Sequence, residues 1–100
     1  MTDIKGLTLE QCAELIDGVV FVVVEEDGVF DPRRGKVRRF DVVEGTIRCA
    51  IEDKHGDVIA YASEYYTSYD DADKAAQKAT LARAQERADM WAAKVAELSG

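Results

Sequence analysis

The chain has 100 residues, 47% of them hydrophobic and 33% charged, with a formal net charge of -7. That length fits one domain with one modest core, burying roughly 60 to 70% of the surface the unfolded chain exposes, and a second domain is not expected. With one proline and no Ser-, Pro- or Gly-rich tract, order is expected nearly end to end, and the apolar run Val19 to Val24 is far shorter than the ~20 residues of a membrane span.

The first residues, "MTDIKGLT", have neither a basic n-region nor an apolar h-region, so no signal or transit peptide is expected. In "LTLEQCAELIDG" Thr8 can accept from first-turn amides, Gln11 can reach back to Thr8, and Leu7 can staple onto Cys12. The pattern predicts a short helix from Leu9 to Asp17 with Leu9, Cys12, Ala13 and Ile16 as its apolar stripe, stopped by Gly18 in the left-handed conformation.

A strand is predicted over Val19 to Glu26. Then "DGVFDPRRGK", with Asp27-Gly28, Asp31-Pro32 and Gly35, reads as a loop. Three further β segments follow, because Ile47, Cys49 and Ile51 alternate with Thr46, Arg48, Ala50 and Glu52. Glu44-Gly45 and "DKHG", Asp53 to Gly56, supply hairpin links and make the four strands an antiparallel meander. Arg39, Asp41, Arg48, Glu52 and Tyr61 are placed to line an outer polar or binding face. Cys12 and Cys49 fall in separate elements without CxxC or His spacing, as buried thiols of a reducing cytoplasm do.

From Asp70 the chain has no Gly or Pro through Leu98 and is rich in Ala, with Thr67 and Ser68 as candidate N-caps, so a long helix is predicted. Ala72, Ala75, Ala76, Ala79 and Ala82 give a flat stripe suited to close approach to a sheet. Leu81, Ala84, Ala88, Trp91, Val95 and Leu98 then repeat at spacings of three and four. Such a helix measures roughly 43 Å at 1.5 Å per residue against ~20 Å for a six-residue strand, so part of the seam overhangs the sheet. Trp91 is expected in the core or a dimer contact. A homodimer through Leu81, Trp91, Val95 and Leu98 is the expectation, with the stripe of the first helix as the competing cover. The element order gives an α+β fold: a short N-terminal helix, a four-stranded antiparallel sheet and a long C-terminal helix packed on one face.

Charge is distributed in blocks: residues 1–32 carry -7, residues 33–39 carry +5, residues 40–73 carry -7 and residues 74–100 carry +2. The basic block Arg33, Arg34, Lys36, Arg38 and Arg39 could contact phosphates, with Lys74, Lys78, Arg83 and Arg87 extending it if they lie alongside. Its acidic flanks fall within a Debye length of roughly 8 Å and favour a charged loop and strand entry balanced by nearby acids instead. The acids Glu25, Glu26, Asp27, Glu52, Asp53 and Asp57, with Asp70, Asp71 and Asp73, could imitate a phosphate array and occupy a basic groove on a partner; the competing reading is solubility, with Asp70, Asp71 and Asp73 favoured in the first turn of the helix by its dipole. Tyr65, Tyr66 and Tyr69 offer contact area with polar tips. His55 is the only histidine and sits on a predicted turn with Asp53 and Asp57, where a hairpin explains every residue. No Ser-His, Cys-His or paired-carboxylate spacing calls for catalysis, and no metal or cofactor is expected.

The stretch "GDVIAYASEYYTSYDDADKA", Gly56 to Ala75, resembles the strand-to-helix signature of the YegP-like family of small domains. There a Gly-acidic-apolar-Ile-Ala run leads through Ser-Glu and Tyr-Ser/Thr-Ser into an Ala-bearing helix. The resemblance covers about a fifth of the chain, with one extra residue near Ala62, and implies a sheet crossed by a helix and a housekeeping role without settled chemistry. A short, acidic α+β chain without catalytic motifs also looks like the small inhibitors phages make against host defences, anti-CRISPR proteins among them, a likeness of type rather than of motif. The expected function is therefore a non-enzymatic binder of a protein partner, such as a nucleic-acid-binding complex, by an acidic surface with exposed tyrosines. The alternatives are a nucleic-acid module using residues 33–39 and a YegP-like domain.

Overall fold

Thr8 caps as its position predicts: its Oγ1 accepts from the Gln11 amide at 3.1 Å, and Gln11 Oε1 accepts from the Thr8 amide at 2.8 Å. The helix so started belongs to a computed structural model that describes residues 1–99. Its elements are β1 (Thr2–Asp3), a 3₁₀ turn (Ile4–Gly6), α1 (Leu9–Leu15), β2 (Val19–Glu26), β3 (Val29–Val43), β4 (Thr46–Glu52), β5 (Val58–Ala62), β6 (Glu64–Tyr65) and α2 (Tyr69–Ser99). The fold is α+β, with β2-β3-β4-β5 as an antiparallel meander and α2 on β2 and β3. Among the described residues no helix is long and apolar enough to cross a membrane.

The expected loop at residues 27–36 is not one. Asp27 and Gly28, with φ of 52° and 82°, form a two-residue turn, and β3 begins at Val29. Pro32 fits in the strand because β4 pairs only from Lys36 onward, leaving the first half of β3 an outer edge. The amide of Phe30, two residues before Pro32 and pointing the same way, donates to Thr80 Oγ1 on α2 at 3.0 Å. The Pro32 nitrogen faces that same edge, where no ladder bond is lost.

β3 therefore serves two partners. Residues 29–36 pair with β2 and residues 36–43 with β4, and a bulge falls between Val37 and Arg39. Gly35 lies at this bend, where an added Cβ would strike Ile51 Cγ2 and stand 3.0 Å from the Glu52 carbonyl oxygen. The inner face collects Val20, Val22, Val37, Cys49 and Ile51, and the N-terminal segment covers it with Ile4, Leu7, Leu15 and Ile16. Fully burying side chains such as Val22, Val37 and Ile51 contributes roughly 1.5 to 3 kcal/mol each. Beyond β5 the chain crosses to the free edge of β2, where the amides and carbonyls of Phe21 and Tyr66 exchange bonds of 2.9 and 2.8 Å. Both edges of the meander thus approach each other, and the edge of β2 is covered.

α1 ends at Leu15, and the left-handed residue is Asp17 (φ 65°) rather than Gly18. Gly18 is needed for space, since a Cβ there would stand 2.8 Å from the Leu15 carbonyl oxygen. The expected stripe is also displaced. Leu9 is 90% exposed and Cys12 only half-buried, because the inner face is reached by Leu15 and Ile16 at the helix end. Cys49 is the buried thiol; burial raises its pKa, and its Sγ donates to the Ala62 carbonyl at 3.5 Å.

α2 starts with Ser68, whose Oγ accepts from the Asp71 amide at 3.2 Å. Ala72 and Ala76 are buried against the sheet, Tyr69 meets Phe21 edge-on, and Arg83 lies over the Phe30 ring at 5.9 Å. Gly35→Ala tests the bend on which this packing depends. Denaturant unfolding should show a loss of about 1 to 3 kcal/mol from overpacking against Ile51, and an unchanged midpoint would mean the strand yields freely.

Candidate functional site

The five basic residues stand on a strand, which divides them. Arg33 pairs with Val22 and Arg34 with Phe21, so their side chains leave opposite faces of the sheet, Lys36 with Arg34. Arg38 Nε lies 3.9 Å from a Glu52 carboxylate oxygen, and Arg39 Nε donates to Asp41 Oδ2 at 2.8 Å, a bond that raises its pKa. Arg39 also reaches Tyr61 Oη at 3.4 Å. Arg39, Asp41, Arg48 and Tyr61 do share the outer face expected of them, on β3, β4 and β5, and Glu52 follows Arg48 at period two on β4. Arg48 donates to the Tyr61 carbonyl at 3.5 Å and keeps an unpartnered Nε. Arg83 and Arg87 do not extend the basic block. Arg83 pairs with Glu25 at 3.3 Å, and Arg87 lies over Gly28.

Between β3 and the β4–β5 turn runs an open groove of about 630 Å³. Arg34, Lys36, Arg38 and Lys54 line it together with Asp17, Glu52 and Asp53. Its four cations are set among three anions. Asp53 is already engaged: its Oδ1 accepts from the His55 and Asp57 amides at 2.8 and 3.0 Å. The Asp57 and His55 amides hold this carboxyl below the usual carboxylate range. The folded pKa being the lower one, its stabilisation is present above the unfolded pKa of about 3.9 and is lost as pH falls through the folded value. Thermal unfolding should therefore separate wild type from Asp53→Ala at neutral pH and less so in strong acid; a gap independent of pH would leave the charge without a role.

The acids are not gathered into one array. Glu25, Glu26 and Asp27 stand at the β2–β3 hairpin tip, with Glu25 paired to Arg83. Glu52, Asp53 and Asp57 belong to the β4–β5 end, beside the middle of β3. The tyrosines divide similarly. Tyr65 packs against the core, and Tyr66 is half-buried, its phenol pKa raised by burial and then by Glu64. Tyr69 is 53% exposed.

The longest row of exposed apolar side chains lies on α2, beside smaller groups such as the paired Val42 and Ile47 at 72 and 49%. Every residue from Ala84 to Ser99 is exposed, and Leu81, Trp91, Val95 and Leu98 are 72, 69, 43 and 81% accessible. Trp91 is thus not a core residue, because the hairpin under the helix ends at Gly28, level with Arg87. Met90, equally exposed, lies off the seam and was not distinguished by spacing. The chain matches no family model, no curated protein and no solved structure. Trp91→Ala should change the unfolding free energy of the dilute protein by less than about 0.5 kcal/mol, as at other surface positions; a loss of several kcal/mol in urea would place the ring in a packed site.

Proposed function

We propose that this chain is a non-enzymatic macromolecule-binding domain that engages a protein through the projecting end of α2. The exposed seam Leu81, Trp91, Val95 and Leu98 on a helix that has left its sheet supports this reading. Those side chains gain nothing in the monomer, and contiguous exposed apolar groups on one helix face are the means by which helices enter partner grooves. Tryptophan at the middle of such a face is a frequent energetic anchor.

A small phage-type inhibitor could use the same surface. It would act by occupying an apolar groove rather than by imitating phosphate, because the acids are split between two ends and Glu25, Glu52 and Asp53 have local partners. A nucleic-acid module draws less support: Arg33 is separated from Arg34 and Lys36, and Arg38 and Arg39 stand beside Glu52 and Asp41.

Immobilised wild type should retain a protein partner that Val95→Glu loses and that Arg38→Glu with Arg39→Glu keeps. In an electrophoretic assay at low salt, where counterion release favours binding most, oligonucleotides should not shift. A shift abolished by the double arginine variant, with capture indifferent to Val95→Glu, would replace this reading with nucleic-acid binding.

A further inference from the structure

We infer that the occupant of the α2 seam is a second copy of this chain, packed antiparallel about a two-fold axis between Ala88 and Trp91. The inference rests on the seam being a protein-binding surface, and the sizes of its residues select the partner. Counted outward from that midpoint, an antiparallel pair sets Ala88 against the partner's Trp91, Ala84 against the partner's Val95, and Leu81 against the partner's Leu98. A small residue meets a large one at four of the six positions, and leucines meet at the ends. A parallel pair would place each residue against itself, with tryptophan on tryptophan and alanine facing alanine, a clash beside a void.

The bodies of the two copies also fit. At 3.6 residues per turn the seam lies roughly a quarter turn from the line Ala72, Ala76, Thr80, Arg83 and Arg87 that meets the hairpin, so both sheets lie to one side of the paired helices. The hairpin reaches Arg87. In the antiparallel register the partner's Arg87 is level with Ala92, roughly 7.5 Å further along the axis, and the two hairpin tips meet without overlapping.

Charge supports the same register. The tips carry Glu25, Glu26 and Asp27, with only Glu25 in an ion pair among the described residues, and two such tips brought together alone would repel. Lys94 is the only cation beyond Arg87, and it lies on the sheet-facing side of the helix, exposed and without an ion pair among the described residues. The antiparallel register sets it level with residue 85 of the partner, alongside the partner's acidic tip.

Sedimentation equilibrium of the full chain at tens of micromolar should show a dimer. Ala88→Trp should weaken it about tenfold or more by filling the space for the partner's ring, and Ala88→Trp with Trp91→Ala should restore association by exchanging the two members of each pair. Lys94→Glu should weaken it by a smaller, salt-dependent factor. Circular dichroism checks that each variant keeps its fold. Mixed Ala84→Cys and Val95→Cys chains should oxidise to the heterologous cross-link, whereas a parallel pair gives Ala84→Cys linked to itself. A monomeric wild type, or a double variant no tighter than Ala88→Trp, overturns the antiparallel dimer. If the monomer still captures a protein through Val95, the binding surface stands and only the second copy is removed; if capture ignores Val95 as well, the surface itself fails.

Discussion

β3 must satisfy two neighbours along one backbone, and most of the architecture follows from how it does so. Its fifteen residues pair with β2 over the first half and with β4 over the second, and Lys36 alone has a strand on both sides. A strand can change partners in this way only by bending. Gly35 removes the Cβ that would meet Ile51, and the bulge after Val37 adds the local twist. The two hairpins then enclose Val22, Val37, Cys49 and Ile51, which the N-terminal segment seals. The bend also leaves the first half of β3 with a bare edge, and α2 follows it, Thr80 taking the Phe30 amide. The direction of the helix, and hence its departure from the sheet past Arg87, is inherited from a choice made in the strand.

Signals that act within a few residues were legible. The Thr8–Gln11 capping box, the Glu44-Gly45 turn with φ of 52° and 78°, and the start of α2 at Ser68 all stand where composition and spacing placed them. Features set by distant neighbours were not. Pro32 argues for a loop unless the residue is known to lie on an edge, and that edge depends on where β4 begins to pair. Asp17 rather than Gly18 turns left-handed because the Asp17 amide is drawn to the Val37 carbonyl at 2.8 Å and Gly18 is crowded by Leu15. Leu9 has the right periodicity and no core to enter. The overhang of α2 was calculable from lengths alone, whereas spacing left Trp91 between core and dimer contact, the core being where large apolar residues usually go.

The charged residues show the same limit. A run such as Arg33 to Arg39 is conspicuous in one dimension, yet a strand sends alternate members to opposite faces and gives each its own neighbours, across the ladder or two residues along the strand. Here Glu52 and Asp41 meet Arg38 and Arg39, while Glu25, far away in sequence, meets Arg83. A dense basic segment is thus divided by the strand, two of its five cations standing beside acids. Exposed apolar area, which no tally of charge reveals, is the more informative property of this molecule.

The position of the single tryptophan has a consequence for spectroscopy. In most small domains such a ring is buried and its emission follows the loss of the core, but Trp91 stands on the part of α2 farthest from Val22, Val37 and Ile51. Its fluorescence follows the helix end and whatever covers it, while melting of the sheet is seen through the half-buried Tyr65 and Tyr66 and the peptide bands. Two probes that fail to coincide ordinarily indicate a populated intermediate. In this molecule the same disagreement would follow from a cooperative transition observed by a fluorophore that sits outside it.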